Sequence, residues 1–501
     1  MASAYTQLEA RFSKIALLGE AIGMLSWDQS VLMPKGGAAA RGDQIAALSV
    51  IRHDMLTDTA LSNLLDEAAE DNGLDSWQAA NLREMRRKWV HAAAVPADLV
   101  EAISKASNAC ETVWRSARRD SDFASVVPAF AEVLTLTQRM GEAKAAAFGC
   151  SLYDALLDAY EPGGRSAEID PIFDSYARFL PDFLEDVLTR QTARPAPRFP
   201  DGPFPIAAQR TLARRLAETV GLDFESARLD ESLHPFTGGI PEDSRITTRY
   251  DESDFTQALM GVLHETGHAM YERARPVAWR RQPVGEARGM TMHESQSLLI
   301  EMQVCRSCGF LDWAAPIICE AFEGCGAAWR SDNLYRLAVQ VNRGFIRVDA
   351  DEVTYPAHVI LRYRLEKAML ADDLPIADLP AAWNKGMLDL LGVEPPDDRL
   401  GCLQDIHWSM TSLGYFPTYT LGNLYCAQFF EKALADHPSL YEEFAQGEFG
   451  TLKTWLNTNI HALGRTYRAA ELCEHVTGAP LSADPLMRHL ESKLKPLYGL
   501  S

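Results

Sequence analysis

The chain has 501 residues, 47% hydrophobic and 23% charged, which are ordinary proportions for a globular protein and a poor fit to a disordered chain, a fibre or a membrane bundle. Its formal charge of −21 argues against a nucleic-acid partner, whose affinity would draw on clustered Lys and Arg. No apolar run approaches the roughly 18 residues that a membrane span requires, so a membrane partner is not expected either.

The opening stretch mixes Glu9, Arg11, Lys14 and Glu20 into a helical pattern and lacks the basic start, apolar middle and cleavage site of an export signal, so a cytoplasmic location is expected. The nine cysteines, an odd number, then read as reduced thiols rather than a disulfide framework. From residue 1 to about 190 apolar residues recur at helical spacing with few β-branched runs, and helices are predicted throughout. Pro34, Gly36 and Gly37 mark an early turn between two of them. Five prolines between positions 195 and 205 forbid continuous helix or central strand and predict a surface crossing. A second irregular zone runs from His234 to Ser253, and its ITTRY segment, Ile246 to Tyr250, is the best strand candidate. Such a strand, next to a catalytic helix, could accept an extended peptide along its edge, or could be a plain structural hairpin.

The segment from Phe255 to Ala274 carries a helical apolar stripe, with Asp251 and Ser253 as candidate caps. On it, His264 and His268 lie four residues apart and project from one face, with Glu265 beside them. This is H-E-x-x-H, in which a metal acidifies a water and the Glu accepts its proton. A catalytic zinc needs a third protein ligand and one open position. The extended motif with a third His fails, because Tyr271 and Ala274 stand where its Gly and His would be. Glu294, at the start of another helical segment, is the favoured third ligand, with His293 or Gln296 as supports; Glu301, two turns on, is the competitor. The C-x-x-C of Cys305 and Cys308, followed by Cys319 and Cys325, lies in apolar helical sequence and reads as core packing rather than a thiolate site. Further breaks are expected at residues 395 to 401 and between Gly414 and Pro417.

The motifs HETGH and HESQ together resemble the thermostable carboxypeptidase Taq family of metallocarboxypeptidases. Other stretches match its pattern in order: SWDQ with MPKGG, HPF at His234 to Phe236, DSRIT at Asp243 to Thr247, IRVDADEVTY at Ile346 to Tyr355, and GCLQDIHW at Gly401 to Trp408. One departure is Arg364, where the pattern leads one to expect an acidic residue. The resemblance implies an all-α fold: one large helical body with a deep cleft and at most a small β element, similar to angiotensin-converting enzyme and neurolysin. It would form a single domain over 1–501, with an N-terminal half, 1–190, partly covering the cleft and a half at 191–501 carrying the metal. It also implies stepwise removal of C-terminal residues from peptides, Zn2+ as cofactor with Co2+ as a substitute, and a homodimer.

An enzyme that cuts only at a C-terminus must recognise a free carboxylate, a task suited to the Arg fork. Arg347 is the first candidate and Arg245 the second, each against the alternative of an ordinary ion pair. The developing oxyanion calls for a nearby donor. His407, Tyr415 and Tyr419 are the candidates, the two tyrosines unranked, while Gln404 and Asp405 are expected to orient neighbours. Two alternatives remain open: an oligoendopeptidase on short peptides, and a non-catalytic peptide-binding protein stabilised by metal.

Overall fold

A computed structural model describes residues 3–499. Helices account for most of it, as the apolar periodicity requires. Ser3 caps the first helix, Ala4–Val31, by accepting from the Thr6 N–H. The chain turns at Pro34 through a short 3₁₀ turn, Lys35–Gly37, and re-enters helix at Ala38. The proline-rich stretch is a non-helical crossing between the helices Ser166–Thr192 and Ile206–Val220.

The only sheet among the described residues has three short strands, β1 (Ala227–Glu231), β2 (Thr237–Ile240) and β3 (Asp243–Thr248), in the order β1-β3-β2. β1 runs parallel to β3, pairing Ala227 with Ser244, and β2 runs antiparallel, pairing Thr237 with Ile246. The strand expected at ITTRY is therefore β3, shifted toward Asp243, and both its edges are occupied. The open edges belong to β1 and β2.

Apolar side chains form two clusters. The larger runs from Val95 to Tyr498, and the smaller joins Tyr5, Leu8, Phe12, Leu61, Leu65 and Met85 of the first four long helices. The core thus divides near residue 90, whereas the proline-rich crossing at 195–205 interrupts only the surface path. Buried ions fasten the helix Ser76–Ala93 to the body: Glu84 meets Arg288 at 3.1 Å and Arg87 at 3.1 Å, and Asp158 meets Arg87 at 3.3 Å and His91 at 2.8 Å. Burial alone would raise the Glu84 carboxyl, but Arg288, Arg465 and Arg87 hold it down at about 2. Breaking such a buried pair leaves an uncompensated charge, which fixes this helix against the body.

Three helices frame the site. Asp254, not Asp251 or Ser253, caps the helix Phe255–Ala274, accepting from the Thr256 N–H at 2.8 Å; Asp251 instead closes a turn onto the Ser253 N–H. The helix Met290–Leu298 lies between it and the helix Pro417–Asp436. Two glycines permit the approach. A Cβ on Gly267 would stand 2.5 Å from the Gln296 carbonyl oxygen, and one on Gly422 would stand 2.8 Å from the Glu294 Cβ. No described helix is long and apolar enough to cross a membrane.

Candidate active site

His264 and His268 face Glu294 across the contact that Gly267 makes possible. The Glu294 carboxylate is 3.7 Å from His264 Nε2 and 3.5 Å from His268 Nε2, and ligand atoms of the three residues all lie within 4.8 Å of one another. Ligands of a tetrahedral zinc stand roughly 3.3 Å apart, given metal–ligand distances near 2 Å, so the donor set fits such an ion. The far side of each ring is committed. His264 Nδ1 meets Glu301 at 2.9 Å, and His268 Nδ1 meets His293 Nδ1 at 2.6 Å. His293 in turn reaches Glu272 through Nε2 at 2.9 Å. Only the Nε2 atoms remain to point inward, which is how supporting partners orient metal-binding imidazoles.

Electrostatics agree with a cation site. Burial opposes a charge on His264, but Glu294 and the Glu301 bond overrule it and raise its pKa to about 10. Burial likewise opposes the Glu294 charge, yet His264 and His268 lower that carboxyl to about 2. Burial lowers His268, so the pocket holds a proton against burial at His264 alone, a charge that a bound cation would replace.

Glu301, the competitor for third ligand, sits on the outer side of His264. One carboxylate oxygen faces His264 Nδ1 and the other accepts from Arg306 at 2.7 Å. It reaches there because the chain from Leu299 to Cys305 widens into a π-helical turn, a distortion found often at functional sites. Gln296 bonds His461 at 2.7 Å rather than His264, His268 or Glu294. Glu265 is 6% exposed, and its Oε2 accepts from the Thr237 hydroxyl at 2.6 Å.

A second group assembles around Asp405. Its Oδ1 accepts from Arg347 Nη2 at 3.0 Å, and its Oδ2 from Arg362 Nε at 2.6 Å. Gln404 accepts from the Arg347 N–H at 2.9 Å. The Arg347 guanidinium lies over the Tyr419 ring, 4.7 Å from its centroid. His407 Nε2 is 3.3 Å from the Tyr419 hydroxyl, and the Tyr415 and Tyr419 rings meet edge to face at 5.2 Å. Burial lowers His407 to about 4, so its imidazole is neutral at neutral pH. Burial raises Tyr415 and Tyr419, and the Glu294 charge pushes both further, which puts this group within reach of the Glu294 charge and keeps their hydroxyls as donors. Arg347, His407, Tyr415 and Tyr419 are thus one cluster. Arg245 stands apart from it: its fork is closed on Asp243 at 2.5 and 2.9 Å and stacked 4.6 Å from the Trp27 ring, which Arg228 approaches at 5.3 Å.

Three participants were not singled out from the sequence. Tyr355, only the end of a motif there, feels both Glu294 and Arg347. Thr237 belongs to β2, and no spacing signals its contact with Glu265. Glu366 is fully buried and accepts from Trp408 Nε1 at 2.9 Å, the Tyr153 hydroxyl at 2.8 Å and the Gly414 N–H at 3.1 Å, pinning the segment that carries His407 and Tyr415. Burial raises this carboxyl to about 7. Arg364, the one departure from the family pattern, pairs with Asp174 at 2.7 Å on the surface.

A helical body with a two-His, one-carboxylate cation pocket and a glutamate beside it defines a metallopeptidase. The chain belongs to the carboxypeptidase Taq (M32) metallopeptidase family, whose model matches residues 7–494, and is a metallocarboxypeptidase by that membership. It is 39% identical to thermostable carboxypeptidase 1 of Thermus thermophilus over 99% of both chains, and 33% identical to carboxypeptidase 1 of Bacillus subtilis over 97% of both. Its structure is similar to that of Trypanosoma cruzi metallocarboxypeptidase 1, with a TM-score of 0.96 at 37% identity, covering 98% of this chain and 99% of that one. A Pyrococcus furiosus carboxypeptidase structure matches with a TM-score of 0.93 at 31% identity, covering 99% of each.

Proposed function

We propose that the chain is a zinc carboxypeptidase of broad specificity, in which His264, His268 and Glu294 hold the ion and Glu265 is the general base and then the general acid. The observation that carries this is the convergence of the three ligands' atoms within 4.8 Å with Glu265 adjacent. Zinc in that position supplies a Lewis acid that acidifies water and polarises the scissile carbonyl. Glu265 Oε1 takes a proton from the attacking water and returns it to the leaving amine, while Thr237 holds Oε2 in place. Neutral His407 and the hydroxyls of Tyr415 and Tyr419 donate to the developing oxyanion.

Arg347 anchors the substrate carboxylate. Asp405 engages its Nε and Nη2 atoms, Tyr355 bonds the same side chain, and the Tyr419 ring backs the guanidinium plane. Arg245 is paired with Asp243 in the same way but stacks on Trp27, apart from the His407 and Tyr419 cluster, and is the weaker anchor. The same reading takes cobalt as a functional substitute for zinc, a homodimeric assembly and a cytoplasmic location. Nine free cysteines support a reducing compartment.

Incubation of a mixed peptide pool with zinc-loaded protein, read by mass spectrometry, tests this. Ladders of single C-terminal losses are expected. Internal cuts without ladders would turn the assignment to an oligoendopeptidase, and no cuts at all to a non-catalytic metal-binding protein.

A further inference from the structure

A cavity of about 430 Å³ adjoins the metal site. It meets the metal site at Thr237, which holds Glu265, and at Glu272 and His293, which back His268. It shares no lining residue with the cluster of Arg347, His407, Tyr415 and Tyr419. A peptide with its C-terminus at Arg347 and its scissile bond at the metal would have this adjoining space for its upstream residues. One wall is the first helix and the other is β2, from Thr237 to Ile240. β2 is one of the two outer strands of the sheet, the one that lines this cavity, and its free edge offers main-chain groups to an extended chain.

The charge of the lining runs against that of the molecule. In a chain of net charge −21, this cavity is lined by five cations and three carboxylates. Lys88 and Arg465 share Glu286, the latter at 3.1 Å; Arg275 meets Glu272 at 3.0 Å; and Arg281 meets Glu20 at 3.4 Å. Arg52 lines the cavity with no ion-pair or hydrogen-bond partner among the described residues. It reaches the wall across Gly19, where an added Cβ would stand 3.9 Å from its Nη1. A partly enclosed cavity with surplus positive charge concentrates field lines and attracts anionic groups.

Resting on the carboxypeptidase reading, we propose that this cavity binds the peptide upstream of the cut and that Arg52 there favours substrates with an acidic side chain. β2 holds the main chain, and the unpaired guanidinium reads the side chain.

The test uses zinc-loaded protein and short peptides with a common C-terminal dipeptide, walking Asp, Ala or Lys through each upstream position. kcat/KM is measured for the natural chain, Arg52→Ala and Arg52→Glu, at low and moderate salt. At one or more positions Asp is expected to exceed Ala by about two- to fivefold, as for a partly exposed ion pair, and to lose the advantage as salt rises. Arg52→Ala should abolish the preference and Arg52→Glu should shift it to Lys. Circular dichroism and zinc content matching the natural chain show that both variants fold. Equal rates for Asp, Ala and Lys at every position, or an acidic preference that survives Arg52→Glu, would overturn the inference. Failure of the natural chain to release a C-terminal residue from any peptide would instead overturn the carboxypeptidase reading, and this inference with it.

Discussion

His264, His268 and Glu294 stand on two helices pressed together at Gly267, whereas Arg347, His407 and Tyr415 come from short turns and irregular chain held by Asp405 and Glu366. The metal end takes its geometry from helical periodicity, which repeats within a few residues. The carboxylate end takes its geometry from buried ions contributed by segments far apart in the chain. Damage should therefore act differently at the two ends. At the metal end it should alter chemistry or metal affinity and leave the fold intact. At the other it should alter substrate choice and stability together.

The sharpest break at the metal end is Glu265→Gln. Turnover should fall by about a hundred- to ten-thousand-fold, the range of a lost acid–base group. Metal content measured by atomic emission should stay at the natural level, since Glu265 is not a ligand. Near-normal turnover would remove Glu265 from its role.

Glu301→Gln tests the outer support of His264. The amide can still bond Nδ1 but no longer supplies the charge, and metal affinity measured by chelator competition should weaken about ten- to a hundredfold. Glu301 also satisfies Arg306, so a smaller loss of stability should accompany it. Unchanged affinity would reduce Glu301 to a partner of Arg306 alone.

The contrast between the two ends also explains how much could be read in advance. His264, Glu265 and His268 were legible because a four-residue spacing on an apolar stripe specifies one helix face. The helical body and its breaks at Pro34, at 195–205 and at Gly414 were legible for the same local reason. The helix cap was missed because Asp251, Ser253 and Asp254 are all chemically able to cap, and only the entry angle of the chain selects Asp254. The position of β3 inside the sheet was not legible, because strand order depends on β1 and β2, which carry weak strand signals. Glu301 was seen but left as a rival ligand, since only the π-helical turn decides which side of His264 it meets. Thr237 and Glu366 had no sequence signal, because their partners lie 28 and between 42 and 213 positions away.

Glu366→Gln probes the carboxylate end. Trp408 Nε1–H and the Gly414 N–H approach different oxygens and cannot turn round, so the amide NH2 must face one of them. Stability in denaturant should fall by about 1–3 kcal/mol, the cost of an unsatisfied buried donor. With metal content unchanged, kcat per folded molecule should fall as well, because His407 and Tyr415 lose their support. A stability loss with kcat intact would make Glu366 a purely structural residue.

The most direct test of the central claim compares a peptide with its C-terminally amidated form, in the natural chain and in Arg347→Ala. The natural chain should favour the free carboxylate by about a hundredfold in kcat/KM, and Arg347→Ala should nearly erase that difference while cleaving the amide no worse. Equal cleavage of both peptides by the natural chain would contradict the assignment of Arg347 and of carboxypeptidase action at this site.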